Sequence, residues 1–191
     1  MVNVVVVYHS GYGHTKNQAE AVFEGVSSDA DVRASCIAIN HEGNISDSDW
    51  QALDNANAII FGSPTYMGMA SWQFKKFADD TSKRWFSLAW KDKIAAGFTN
   101  SASMNGDKHS TLHYMITLAM QHGMLWTGTA MMPSNQKASV RDDINYLGSF
   151  AGLMAQSPAD AGTDESPTKG DIDTAKLFGQ RISEVTKQWC S

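Results

Sequence analysis

The run His9-Ser10-Gly11-Tyr12-Gly13-His14-Thr15 has the composition of an anion cradle. It follows a β-branched stretch and leads into a helical pattern. Its glycines let the backbone turn tightly and aim N–H groups at a ligand. Ser10 and Thr15 add hydroxyl donors, and the new helix adds unpaired N–H groups and the positive end of its dipole. Together these hold a phosphate dianion without a lysine or arginine, and none occurs between Val2 and Thr15. Spacing narrows the ligand. No G-x-x-x-x-G-K-[ST] run is present, and G-x-G-x-x-G is only begun, because Lys16 stands at its third glycine. The loop suits a mononucleotide phosphate; an ordinary turn of small residues between strand and helix is the alternative.

Two further loops could flank the same ligand. Gly62-Ser63-Pro64-Thr65-Tyr66-Met67-Gly68-Met69 combines a stiff Pro64, a flat Tyr66 and a Gly68 that allows close approach. Thr99-Asn100-Ser101-Ala102-Ser103-Met104-Asn105-Gly106 is small and polar throughout. Elsewhere the residues read more plainly. His122 precedes Gly123 at the end of a helical pattern, where an imidazolium would favour the negative end of the helix. His109 and His113 are four apart but lack the Glu or Cys partners of a metal site, so no metal is expected. Trp72, Trp85, Trp90 and Trp126 read as core or interface aromatics, and the ten methionines as gap-fillers and pocket lining.

The elements that must position these loops alternate. Strands are predicted over Val2–Tyr8, Val32–Ile39, Ala58–Gly62, Lys93–Thr99 and Met124–Ala130. Helices are predicted over His14–Val26, Ser46–Asn55, Ser71–Trp85, Asp107–His122 and Asp171–Lys187, with Ser71 and Asp107 as N-caps. Such alternation means βαβ units around a parallel sheet. In the doubly wound order 2-1-3-4-5, the carboxyl ends of strands one, three and four surround one crevice. The long stretch Pro133–Pro167 is irregular, and its Tyr146, Leu147, Phe150, Leu153 and Met154 imply partial ordering. No repeat or second domain is apparent, so residues 1–191 are expected to form one domain.

Composition sets the outer limits. At 42% hydrophobic residues the chain can build a sizeable core, and 15 Lys+Arg against 20 Asp+Glu give a net charge of −5. With no polybasic run, nucleic acid and anionic membranes are not expected partners. The longest apolar run is too short to span a bilayer. Two cysteines, Cys36 and Cys190, make no disulfide framework, which fits a cytoplasmic protein.

Over Val5–His14, Ile59–Gly68, Phe77–Phe98 and Leu118–Met124 the chain resembles the WrbA-type NAD(P)H:quinone oxidoreductases of the flavodoxin-like superfamily. The resemblance implies a flavodoxin-like three-layer sandwich with a five-stranded parallel sheet in the order 2-1-3-4-5. It implies tight, non-covalent FMN and two-electron transfer from NAD(P)H to a quinone. Ser10, Tyr12, Gly13, His14 and Thr15 should then surround the FMN phosphate. Pro64, Thr65, Tyr66, Met67 and Gly68 should lie along the isoalloxazine, and Thr99, Asn100 and the Ser101–Gly106 loop, with Ala102, Ser103 and Asn105, at its pyrimidine edge. His122, Trp85 and Tyr66 are the implied catalytic residues: His122 beside the ring, Trp85 walling the substrate side across a subunit boundary in a homodimer or tetramer. Lys75, Lys76, Lys83 and Arg84, otherwise a solvated face, could attract a phosphorylated nicotinamide. Two features depart from the family. Ala102, Met104 and Asn105 stand at glycine positions, and the segment between strands two and three is shorter. A one-electron flavodoxin and a flavin reductase supplying a monooxygenase are the alternative functions.

Overall fold

The computed structural model describes all 191 residues. The chain runs β1 (Val2–His9), α1 (His14–Ser27), β2 (Val32–Ile39), α2 (Asp47–Asp54), β3 (Ala58–Tyr66), β4 (Met69–Ala70), α3 (Trp72–Asp80), α4 (Ser82–Phe86), β5 (Ile94–Ser101), α5 (Lys108–Gln121), β6 (Leu125–Trp126), β7 (Leu153–Gln156) and α6 (Lys169–Trp189). The sheet order is β2-β1-β3-β5, and the next position is shared by β6 and β7, both parallel to β5. The predicted order of five parallel positions therefore holds.

The sheet is covered on both faces, as its β-branched first strand requires. Val4, Val6 and Tyr8 pack with Val22 and Val26 of α1 and Phe178 and Ile182 of α6. Val5 and Val7 point the other way, to Leu53 of α2, Phe74 and Phe77 of α3 and Leu112 and Met115 of α5. The alternation along β1 is the strand period itself.

Three predicted elements are corrected. The fifth strand, expected over Met124–Ala130, pairs only at Leu125 and Trp126, against the amino half of β5. The carboxyl half of β5 pairs instead with Leu153–Gln156, inside the stretch expected to be irregular. The intervening residues fold back on themselves. Trp126 Nε1 donates to the Ala151 carbonyl at 2.6 Å, Thr129 N–H donates to Phe150 at 3.0 Å, and Asn145 Nδ2 donates to Met131 at 2.9 Å. The helix expected over Ser71–Trp85 breaks at Thr81, whose hydroxyl donates back to the Ala78 carbonyl at 2.6 Å. Asp107 is left-handed (φ 53°) and makes no side-chain cap, whereas Ser71 does cap α3, accepting from Phe74 N–H at 3.3 Å. Ser46 and Asp49 form a reciprocal capping box on α2.

The helices α1 and α6 cross where both present glycine. A Cβ on Gly25 would enter the Lys176 carbonyl, and one on Gly179 the Val22 carbonyl. The crossing thus depends on backbone meeting backbone. Gly25→Ala should gain about 1 kcal/mol of helix propensity yet force the helices apart, an overpacking that costs about 1–3 kcal/mol or more. Urea unfolding should show a net loss of stability; a stabilised variant would contradict the close crossing.

Candidate functional site

Parallel pairing sets Tyr8, Gly62 and Phe98 side by side. The loops that leave β1, β3 and β5 therefore emerge at one level, at the carboxyl edge of the sheet. Between them lies a cleft of about 560 Å³. Tyr12 and His14 come from the first loop, Thr65 and Tyr66 from the second, and Asn100, Ser101 and Ala102 from the third. The fourth wall is Ser157–Ala159 and Ala161–Thr163, the loop that follows β7. Sequence reasoning missed this wall because it placed the fifth strand some thirty residues too early; the short apolar run Leu153-Met154-Ala155 was the available signal.

The first loop is folded by Ser10, whose Oγ accepts from the N–H groups of Gly13 and Lys16, both at 3.1 Å. The N–H groups of Tyr12, His14 and Thr15 have no acceptor in the chain, and they gather at the start of α1, where the dipole adds positive potential. Gly13 is left-handed at φ 95°, and a Cβ there would stand 2.7 Å from the Thr163 methyl. The fourth wall is latched to the first loop: His14 Nε2 meets the Ala161 carbonyl at 3.1 Å, and Asn17 Nδ2 donates to Thr163 at 2.6 Å.

The second loop is a hairpin. Tyr66 pairs with Met69 across Met67 and Gly68, both at positive φ (49° and 76°), the conformation of a type I′ turn. Tyr66 lies over Gly11, where any side chain would strike the phenol, and meets Tyr12 edge to face at 6.0 Å. Pro64 is buried at the end of β3. Beneath it the hydroxyl of Thr65 bonds those of Thr99 and Thr111, both at 2.8 Å. The Thr99 carbonyl accepts from Gln18 at 3.2 Å, so Thr99 acts below the cleft rather than lining it.

The third loop is built without glycine at the three positions where the family resemblance expects it. Positive φ falls on Gly106 (56°) and Asp107 (53°), and not on Ala102, Met104 or Asn105. Asn105 Oδ1 accepts from Asp107 N–H at 3.0 Å, a local turn that glycine could not make. Asn100 Oδ1 accepts from Ser157 Oγ at 3.2 Å, joining this loop to the fourth wall. Ser103 contributes its carbonyl to Lys108, a residue the sequence did not single out.

Two expected catalytic residues stand apart. His122 ends α5 beside the amino end of β5, where Gly123 accepts from Asp92 N–H; its helix begins at the cleft side and carries it away by roughly 20 Å. The residue is 1% exposed, and its ring packs against Trp90 at a tilt of 35°, with centroids 4.6 Å apart. Thr81 has given its hydrogen to Ala78, so Nε2 of His122 must donate to Thr81 Oγ1 (2.8 Å), and Nδ1 has no partner. Burial pushes its pKa down to about 4. The helix-end imidazolium is corrected: His122 is a neutral, buried residue, and like Trp85 it lies remote from the cleft of its own chain. Trp85 lies at this same far end, 47% exposed, with Phe86 and Leu88 exposed beside it. Only Tyr66 of the three is at the cleft.

Comparison with known proteins agrees with this fold. The family model for NADPH-dependent FMN reductases matches residues 48–138. Flavodoxin FldP of Pseudomonas aeruginosa is 50% identical over 188 residues, 98% of each chain. A crystal structure of a WrbA-like flavodoxin from Agrobacterium tumefaciens is 49% identical, with a TM-score of 0.77 over 98% of this chain and 99% of its own. An NAD(P)H dehydrogenase (quinone) of Gluconacetobacter diazotrophicus is 29% identical over 97% of both.

His122 also makes stability depend on pH. The unfolded imidazole takes up a proton near pH 6.5, whereas the folded one resists until about pH 4. Its contribution is therefore complete above pH 6.5 and is lost as the pH falls toward 4, on the order of 3 kcal/mol in all. His122→Gln should flatten that part of the stability–pH curve in chemical denaturation; an unchanged slope would refute the neutral-core assignment.

Proposed function

The chain belongs to the family of WrbA-like flavodoxins, and we propose that it binds FMN non-covalently in this cleft and acts as an NAD(P)H:quinone oxidoreductase. One observation carries the reading. At the carboxyl edge of a doubly wound sheet, three N–H groups without an acceptor gather at the start of α1, beside a cleft that Tyr12 and His14 line and that contains no Asp or Glu. That is a site for an anion, placed where such sheets bind nucleotides. Bound FMN would supply the redox chemistry, accepting two electrons from a nicotinamide and passing them on.

The chain's own residues bind and orient. Tyr12, His14 and Thr15 offer backbone donors to the phosphate, with the Ser10 hydroxyl hydrogen beside them. Pro64 and the Thr65–Thr99–Thr111 hydroxyls fix the ring-side loop. Tyr66 supplies a flat face that excludes water, and Asn100, Ser101 and Ala102 face the opposite edge. Nothing in this machinery requires a side-chain nucleophile. Trp85 enters only if a second copy brings it, since its own cleft is at the other end of the molecule; this is the reason to expect a homo-oligomer.

The name of the relative at 50% identity favours a second reading, a one-electron carrier. The two separate on reduction. A quinone reductase oxidises NADH or NADPH steadily with benzoquinone and accumulates no one-electron-reduced flavin. Negligible nicotinamide oxidation, with such a form persisting during titration, would establish the carrier instead.

Gly13→Val tests the cradle. The valine would have to adopt φ 95° and would collide with Thr163, spoiling both the loop and its latch. Titration of apoprotein should show FMN affinity reduced by roughly tenfold or more, a loss of about 1.4 kcal/mol. Wild-type affinity in that variant would remove the first loop from the site.

A further inference from the structure

Lys108 opens α5 and is 1% exposed. Two effects oppose a lysine there. Burial strips the ammonium of water, and the first turn of a helix already carries positive potential. Its pKa is pushed down to about 8, by burial first; Asp171 opposes the shift and Arg141 adds to it. The compensation is complete and specific. Nζ donates to Ser101 Oγ at 2.8 Å, to the Ser103 carbonyl at 2.7 Å and to the Met104 carbonyl at 2.9 Å. An ammonium has three hydrogens, and all three are used.

All three acceptors belong to one loop, whose Ser101 and Ala102 line the cleft. The loop closes tightly over the ammonium, since a Cβ on Gly106 would enter Ser101 Oγ. Its far side is tied by Gln156, whose Nε2 donates to the Ala102 carbonyl at 2.7 Å, while the Ser157 N–H holds the Ser101 carbonyl at 3.0 Å. Gln156 is itself held, its N–H donating to Asp171 at 2.9 Å. A neutral amide thus suffices to fasten one side of the loop. Fastening alone does not call for a buried charge at the wrong end of a helix. The lining of the cleft contains no lysine or arginine, so Lys108 is a fixed cation directly behind it, in a setting where charge is poorly screened.

We propose that Lys108 is the positioning residue of the cofactor cleft: it holds the 101–106 loop against FMN, with Gln156 as a second, neutral tie, and its charge favours the reduced, more negative form of FMN over the oxidised form. The inference rests on the FMN reading above. It also accounts for a loop that keeps its shape with Ala102, Met104 and Asn105 at positions where the family has glycine.

The test compares two variants with wild type by FMN titration of apoprotein, by the midpoint potential of bound FMN and by melting of apoprotein. Lys108→Met keeps the stem and removes the ammonium. It should weaken FMN binding roughly tenfold and cost about a further tenfold in preference for the reduced form, a midpoint potential about 30 mV lower for a two-electron couple. Gln156→Ala should weaken binding severalfold and leave the potential in place. A Lys108→Met protein with wild-type affinity and potential, defective only in apoprotein melting, would reduce Lys108 to a structural residue and overturn the proposal. Should Lys108→Met fail to fold, unchanged FMN affinity in Gln156→Ala overturns the loop-holding role by itself. A wild type that takes up no FMN defeats the cofactor reading and this inference together, an outcome distinct from either variant result.

Discussion

The register of β1, β3 and β5 is the constraint on which the site depends. It places Tyr8, Gly62 and Phe98 level, and it leaves no space for a side chain at Gly62, where a Cβ would enter the Phe98 ring. Everything beyond that level follows from it. Thr65 and Thr99 stand on adjacent strands with their hydroxyls in contact, and Thr111 reaches them from α5. A slip of one residue would turn alternate side chains to the opposite face and leave buried hydroxyls unpaired, at about 1–3 kcal/mol each. The buried polar cluster therefore specifies the register, and the register brings the loops together. Ser63, bonded to Ser71 Oγ at 3.3 Å and accepting from Ser71 N–H at 3.0 Å, ties the start of α3 to the same level.

This logic explains what could be read from the sequence. The valines of β1 announce a strand buried on both faces, and the glycines after it announce a turn into a helix. Both signals are local, and both survive in the structure, as does the capping serine of α3. The split fifth strand is not a local signal. Leu125–Trp126 and Leu153–Gln156 complete one position only because β5 offers both halves of its edge, and no periodicity spans the insertion between them. The fourth wall of the cleft went unseen for that reason. Thr81 is similar: helical spacing of apolar residues runs through it, and only the hydroxyl turned back to Ala78 shows the break.

Histidine and lysine show the same limit from the side of chemistry. His122 has the position that family resemblance associates with a ring-side role, yet packing against Trp90 and donation to Thr81 make it a core group. Lys108 has no motif around it and stands only as the second residue of the helix predicted over Asp107–His122. Its importance comes from three acceptors supplied by residues five to seven positions earlier in a folded loop, or four in the case of Met104. Residue type and spacing indicate which groups can do chemistry. Burial and partner count decide which of them are at the site.

The distribution of charge and aromatic surface then bears on assembly. At the cleft, Tyr12 and Tyr66 present a rim whose rings cross at 71°, and Trp72 and Met104 are exposed as well. At the other end Trp85, Phe86 and Leu88 form a separate exposed apolar group. One chain cannot bring the two ends together, because α3 and α4 separate them. In an isologous pair, contact of one copy's far end with its partner's rim is matched by the reciprocal contact. Both apolar surfaces are then covered and both clefts acquire a tryptophan at once. The proposed oligomer and the proposed role of Trp85 are therefore a single geometric claim, since the position that removes Trp85 from its own cleft is what makes it available to another.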